Sequence, residues 1–355
     1  MFQDCFRGKR VLITGNTGFK GSWLALWLQQ LGAEVIGYAL EPDTTPSHWE
    51  LLNLNCRHYV DDVRNAASIE RVVKEIKPDL IFHLAAQPLV RLSYEQPVDT
   101  WSTNVVGTVN LLNASRNIEN LAGIVVVTTD KVYENPEHGI PFQEDEELGG
   151  SDPYSASKAA CELVVQSFRK SFFDGQRTLV ATARAGNVIG GGDWAKDRLI
   201  PDVVIASSNG DPVKIRYPNA VRPWQHVLDS LSGYLCLAQH MIAGEASVEG
   251  AWNFGPDIAQ QNSVSDVLIK MSAFWPELVW DIEKEMQPHE AVLLQLNCEK
   301  ARQHLNWSPI WLFDKTAEKT ASWYQCFYSN NEVITSEQIE QYQNDARKRG
   351  AYWAC

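Results

Sequence analysis

Paired cysteines are missing from this 355-residue chain: its seven lie scattered at positions 5, 56, 161, 236, 298, 326 and 355, with no C-x-x-C among them. That spacing excludes a zinc ribbon or a redox dithiol and predicts reduced thiols in a cytoplasmic compartment. Positive charge is scarce too. Lys and Arg total 31 against 44 Asp and Glu, a formal net charge of −13. Such a surface repels phosphodiester backbones and anionic lipid, so neither nucleic acid nor a membrane surface is an expected partner. No apolar run approaches the ~18 residues that would span a bilayer, and Met1–Arg7 lacks the apolar core of a secretory leader, so none is expected. The eight histidines show no H-E-x-x-H or similar spacing, and no metal is expected. Hydrophobic residues at 45% and charged residues at 21% match ordinary globular usage, which leaves a chain long enough for about two domains.

What is present is an alternation. Short apolar runs at Arg10–Thr14, Glu34–Tyr38, Arg57–Val60, Leu80–Leu84 and Gly123–Thr128 alternate with helical stretches at Ser22–Leu31, Ala67–Lys77 and Val98–Asn117. Continuous apolar strands separated by helices are buried on both faces and joined by right-handed crossovers. The expected fold is α/β, a doubly wound parallel Rossmann-type sheet with its ligand crevice at the carboxyl ends of the strands. Beyond residue 186 the alternation weakens, and Gly, Pro and Trp gather at Gly190–Trp194, Pro218, Pro223-Trp224 and Gly255-Pro256. A smaller mixed α/β substrate-binding lobe is expected in this C-terminal half. The division predicted is 1–186 for the dinucleotide-binding domain, with returning segments near 225–250 and 291–314, and 187–224, 251–290 and 315–355 for the lobe.

Strand one runs directly into Thr14-Gly15-Asn16-Thr17-Gly18-Phe19-Lys20-Gly21, and a helix follows. Glycines there permit a tight turn, let backbone approach a pyrophosphate and allow close helix–strand packing, while the helix N-terminus faces the anion. This points to a bound dinucleotide. Further on, Pro153 opens a helix in which Tyr154 and Lys158, four apart, share one face. A cation beside a phenol favours phenolate and draws its pKa down from about 10, as a base acting on an alcohol requires. Y-x-x-x-K is a weak signal alone, but this is the only such pair in the chain and it follows a strand bearing Thr129.

Together these motifs resemble the extended short-chain dehydrogenase/reductase family, whose glycine spacing is T-G-x-x-G-x-x-G. The resemblance implies NAD as cofactor, contacted by Gly15, Thr17, Gly18, Phe19 and Gly21, by Asp62-Val63 at the adenine, and by Leu84-Ala85-Ala86 beneath it. It adds Asn104 and Thr128 to the cofactor site and makes Thr129, Tyr154 and Lys158 the catalytic set, the last two also touching the cofactor. One position departs: family members using NAD usually carry an acid right after strand two, and Ala39 stands there. Even so, Tyr38 to Glu50 contains no Lys or Arg but does contain Glu41, Asp43 and Glu50, so a 2′-phosphate would meet only like charge. NAD is therefore expected over NADP.

Epimerases and simple reductases of the family need only the hydroxyl at the turn after strand five. Here Thr129 is followed by Asp130-Lys131, an acid and a second proton carrier. Elimination of water needs two such groups on adjacent carbons. Asp130, with its pKa raised by burial, would protonate a leaving hydroxyl; Lys131, if desolvated and neutral, would remove the proton next to a transient ketone. This pair, with Phe19–Leu24, Gln87–Arg91, Arg184–Trp194 and Arg222–Asp229, resembles the nucleotide-sugar 4,6-dehydratases over about residues 8–310. The branch acting on CDP-glucose and a separate one acting on UDP-N-acetylglucosamine share the Asp-Lys order, and the other motifs favour the first.

That resemblance implies conversion of CDP-glucose to CDP-4-keto-6-deoxyglucose and water, for the deoxysugars of bacterial surface polysaccharide. It implies substrate contacts at Gln87, Asn187, Arg198, Leu199 and Arg222, with Arg216 and His226 as nearby candidates and Trp194 or Trp224 able to stack on a base. It also implies a homodimer or dimer of dimers built on the helices near 98–117 and 153–172. Two rival readings remain: an epimerase or reductase on another nucleotide sugar, and an NAD-sensing binding protein without turnover. Asp130-Lys131 speaks against the first, and the intact Tyr154 and Lys158 against the second. Past residue 325 the sequence carries no readable signal.

Overall fold

The computed structural model describes residues 1–136, 139–215, 217–258, 262–282 and 294–355. Among them, seven strands form one sheet in which every pairing is parallel. These are β1 (Arg10–Thr14), β2 (Glu34–Ala39), β3 (Arg57–Val60), β4 (Leu80–His83), β5 (Gly123–Val127), β6 (Leu179–Arg184) and an edge strand, Gly250–Asn253. Across the sheet the order is edge strand, β6, β5, β4, β1, β2, β3. The chain thus winds outward twice from a switch point between β1 and β4, where a crevice opens.

The apolar runs explain the burial. In β1, Val11 and Ile13 face one hydrophobic cluster and Leu12 faces the other, and all three are fully buried. A strand covered on both sides has no polar face to present, hence the unbroken RVLIT pattern. Helices Phe19–Gln30 and Val227–Ile242 cover one face; Ala66–Ile76, Gly107–Ser115 and Pro153–Phe168 cover the other. Val227–Ile242 is packed all round, with fourteen of its sixteen residues buried.

Outside this sheet lie three two-stranded pieces. Val188–Ile189 pairs with Gln225–His226, Val221–Arg222 with Asn262–Ser263, and Val213–Ile215 with Trp280–Ile282. Two details depart from the expected division. The edge strand Gly250–Asn253 belongs to the main sheet, so the returning segment extends past residue 250. The tail does not belong to the lobe alone: Phe313–Asn330 packs on the lobe helix Val264–Ser272, but Thr335–Lys348 packs on Phe19–Gln30. There Trp353 stacks on Phe2, at 4.9 Å between ring centroids, and on Tyr342, at 5.8 Å. Aromatic burial of this kind leaves no short periodic signature, which is why the tail is unreadable from sequence.

Candidate active site

At the carboxyl edge of the sheet lies a cavity of about 1170 Å³, whose lining includes Asp62, Val63, Arg222 and Trp224. That exceeds the ~300–1,000 Å³ typical of a single small-molecule pocket. One wall is made of backbone. Gly15 has φ +74°, and a Cβ there would lie 2.6 Å from the Ala85 nitrogen. A Cβ on Gly21 would lie 2.1 Å from the Gly15 carbonyl oxygen. Only glycine allows this packing. Gly18 begins the helix without any side-chain cap, so the first-turn amides of Phe19, Lys20 and Gly21 have no intrahelical acceptor. A cradle of this shape and polarity fits the pyrophosphate of a dinucleotide.

The expected cofactor residues Gly15, Thr17, Gly18, Phe19, Gly21, Asp62, Val63, Leu84, Ala85, Ala86, Thr128, Tyr154 and Lys158 all line the cavity. So do Ala39, Leu40, Glu41 and Asp43, an acidic stretch suited to a free ribose hydroxyl rather than a phosphate. The Asp62 carboxylate holds Arg64 at 2.6 Å, which keeps its pKa below the usual range.

Two expected contacts are corrected. Asn104 does not line the cavity. It sits behind it, 1% exposed, in a π-turn (Ser102–Val106) of the long helix. Its side chain accepts from the Gln87 amide at 2.8 Å and donates to Ser157 Oγ at 2.9 Å. It therefore positions the strand-four turn and the tyrosine helix rather than touching a ligand. Gln87 turns its own side chain to Thr100 Oγ1 and the Leu89 carbonyl, away from the cavity. Its amide group is spent on folding the loop, and Gln87 is not among the residues that line the cavity.

The reaction centre gathers at the end of β5. Thr129 starts a short turn, Asp130–Val132, by accepting from the Lys131 amide. Its hydroxyl donates to Asp130 Oδ1 at 2.9 Å and is hydrogen-bonded to Tyr154. Asp130 is 3% exposed and packs against Gly186 so closely that a Cβ there would fall 1.8 Å from Oδ2. Asn187, held at φ +48°, donates to the same oxygen at 3.5 Å. Lys158 is buried and donates to the Val127 carbonyl at 3.0 Å; burial lowers its pKa.

Two electrostatic expectations change. Tyr154 is pushed up to about 12, chiefly by burial; its hydrogen bond with Thr129 opposes the shift and the nearby charge of Asp130 adds to it. The polypeptide alone thus does not activate it. Lys131 lines the cavity but is exposed, so the protein alone does not desolvate it either.

The opposite wall is made of side chains. Arg198 precedes the helix Leu199–Ser208, lines the cavity with Leu199, and pairs with Asp193 at 2.9 Å. Asp193 is clamped through its backbone by Tyr324 of the tail, which donates to its carbonyl and accepts from its amide. Arg222, Asn187, Trp194 and Trp224 also line the cavity. Trp194 and Trp224 are nearly buried there, their indole nitrogens donating to the Tyr328 hydroxyl and the Asn262 carbonyl. Arg216 lies outside the described residues. His226 is a core residue: it accepts from the Leu228 amide, packs edge-on against Trp23 and Trp311, and is held neutral by burial at about 3.

Lys20, Asp193, Tyr324 and Gly186 are site residues to which sequence reasoning gave no role. The first was legible as a cation inside the glycine loop. Gly186 and Asp193 lie within the Arg184–Trp194 motif, but the contacts through which they and Tyr324 act are tertiary.

The sequence profile of the family described as GDP-mannose 4,6 dehydratase matches residues 12–320. The chain belongs to that family. Over 346 residues, 95% of the chain, it is 44% identical to the CDP-glucose 4,6-dehydratase of Salmonella typhimurium, 96% of which is covered. It is 25% identical to the dTDP-glucose 4,6-dehydratase of the same organism over 89% of the chain and 92% of that protein. Among solved structures, the UDP-glucose 4-epimerase of Thermus thermophilus in complex with NAD aligns with a TM-score of 0.75 at 25% identity, covering 89% of this chain and 99% of that one. The dTDP-glucose 4,6-dehydratase of Bacillus anthracis, also in complex with NAD, has the same fold, with a TM-score of 0.72 at 21% identity over 91% and 98% of the two chains.

Proposed function

We propose that this protein uses NAD to convert CDP-glucose into CDP-4-keto-6-deoxyglucose and water. The observation that carries the reading is Asp130. It is a buried carboxyl joined through one hydroxyl to the catalytic tyrosine and walled in by Gly186, on a chain 44% identical to a CDP-glucose 4,6-dehydratase. Bound NAD would take a hydride from C4 of the sugar and return it to C6, and its nicotinamide would bring positive charge near Tyr154.

Tyr154, steadied by Thr129, accepts the C4 hydroxyl proton. The resulting ketone acidifies C5–H, and Lys131 removes that proton once the sugar covers it and excludes water. Asp130 donates a proton to the C6 hydroxyl as water leaves. The two groups are adjacent in sequence and turn around one 3₁₀ step, so they can act on neighbouring carbons. Lys158, fixed on Val127, supports the tyrosine helix and the cofactor. Arg198, Leu199, Asn187 and Arg222 hold the nucleotide diphosphate, guanidinium being suited to phosphate. Glu41 and Asp43 favour NAD over NADP.

The division into a cofactor domain and a nucleotide-sugar lobe belongs to the same reading. A homodimer is supported by the exposed apolar side chains Val98, Trp101, Val106 and Leu163, which sit on the helices where the family pairs. The seven cysteines are free thiols, as suits a cytoplasmic enzyme, and the product suits surface-polysaccharide deoxysugars.

Purified protein incubated separately with CDP-, dTDP-, UDP- and GDP-glucose tests the function. Depletion of CDP-glucose to a 4-ketosugar without net NADH is expected. Steady NADH accumulation, or an epimer as the product, would overturn it.

A further inference from the structure

The buried side of the tyrosine helix carries a charge with no part in the proton transfers above. Glu162 stands four residues past Lys158 and eight past Tyr154, so all three share one side of Pro153–Phe168. Its side chain is 5% exposed, and that of Arg184 at the end of β6 is 3% exposed. The two meet as a fork: Arg184 Nε donates to Glu162 Oε1 and Nη2 to Oε2, each at 3.0 Å. Thr128 Oγ1 donates to Oε1 and Thr182 Oγ1 to Oε2, both at 2.6 Å. Those four bonds fill the acceptor sites of the carboxylate. An ion pair this far from water is often no more stabilising than apolar packing of the same volume. What it does supply is fixed direction.

The pair grips the turn Asp130–Val132 from both ends. Thr128, held by Glu162, comes directly before Thr129, which opens the turn. Tyr133, which closes it, accepts from Arg184 Nη1 at 2.7 Å, and the guanidinium lies 4.8 Å from the centroid of its ring. The Tyr133 hydroxyl donates in turn to Asn253 Oδ1 at 2.7 Å, and Arg184 Nη1 also donates to the Glu144 carbonyl at 3.0 Å. Two residues past Arg184 comes Gly186, the backbone that walls in Asp130. One buried ion pair thus joins the helix bearing Tyr154, the turn bearing Asp130 and Lys131, and the segment behind Asp130.

We propose that Glu162 and Arg184 are positioning residues for elimination: through Thr128 and Tyr133 they hold Asp130 and Lys131 in place, and oxidation at C4 depends on them less. Tyr154 has supports of its own, the packing of its helix and Lys158 on the Val127 carbonyl. Lys131 is exposed and depends on the turn beneath it. The inference rests on the reading of Asp130 and Lys131 as the groups that expel water.

Single turnovers of CDP-glucose followed by NADH absorbance separate the two halves of the reaction. Oxidation at C4 makes bound NADH, and hydride return to C6 after elimination consumes it. Tyr133→Phe and Arg184→Lys should each leave NADH formation within about threefold of the parent. Its decay should slow by about 3- to 10-fold in Tyr133→Phe, the loss of one hydrogen bond, and by about 10- to 100-fold in Arg184→Lys, the loss of the fork. Val180→Ala, buried on the same face of β6, is the comparison: it should lose stability in denaturant with neither rate moved. Should Arg184→Lys not fold, Tyr133→Phe decides alone. Decay unchanged in Tyr133→Phe, formation slowed as much as decay, or the same slowed decay in Val180→Ala overturns the proposal alone. A parent that forms no 4-ketosugar overturns it together with the reading beneath it.

Discussion

The two walls of the cavity recognise their ligands by different means. Facing the cofactor, Gly15, Gly21 and Leu84–Ala86 bring backbone against backbone, so the fit is made of absent side chains. On the wall we assign to the sugar nucleotide, Asn187, Asp193, Arg198 and Arg222 present side chains from loops and two-residue strands, several braced from elsewhere in the chain. The first wall depends on local spacing. The second depends on distant supports such as Tyr324, 131 residues from the Asp193 it clamps. They meet at Thr129–Asp130, where a buried carboxyl sits at the end of β5 between them.

Removing the meeting point should have the largest effect. Asp130→Asn should lower product formation by about 10²–10⁴, the range for general acid catalysis, while NAD titration shows binding intact; equal loss of both would mean Asp130 is structural. Breaking the backbone wall comes next. Gly15→Ala combines a positive φ with overlap at Ala85, and should cost about 2–4 kcal/mol in denaturant unfolding, with NAD affinity lost before CDP-glucose affinity.

A third effect probes the frame behind both walls. Asp229 is fully buried, takes hydrogen bonds from the Ile310 amide and Tyr342, and is raised to about 7 by burial. Its folded pKa exceeds the unfolded one, so it binds more protons when folded and stability falls as pH climbs from about 4 to 7. His48, His83 and His226, each lowered to about 3 by burial, impose the opposite slope below about 6.5. The difference between parent and Asp229→Asn isolates the aspartate: the variant should gain about 1–3 kcal/mol relative to the parent between pH 4 and pH 8. Smallest is Tyr324→Phe, which removes one neutral hydroxyl from behind Asp193. KM for CDP-glucose should rise by about 3- to 10-fold, near 1 kcal/mol, with NAD affinity unchanged.

The sheet, the glycine loop and the Tyr154–Lys158 helix were legible because each is a short-range pattern: unbroken apolar strands, fixed glycine spacing, a four-residue interval. Asp130 is buried at the end of β5. What sequence could not supply was electrostatic context. The four-residue spacing of Tyr154 and Lys158 promised a lowered phenol, yet burial prevails and raises it. Gln87 and Asn104 follow the family pattern in type but serve the loop and helix around the site. The tail escaped notice because it docks through Trp353 and Tyr342 stacking on the N-terminal segment, a contact written in no periodicity.

The central claim is that oxidation at one sugar carbon is temporary and serves elimination at the next. CDP-glucose deuterated at C4, turned over by this protein and read by mass spectrometry and NMR, tests it directly. The account predicts that the deuterium reappears on C6 of a product lacking one water. Deuterium retained at C4, or collected in free NADH, would contradict it.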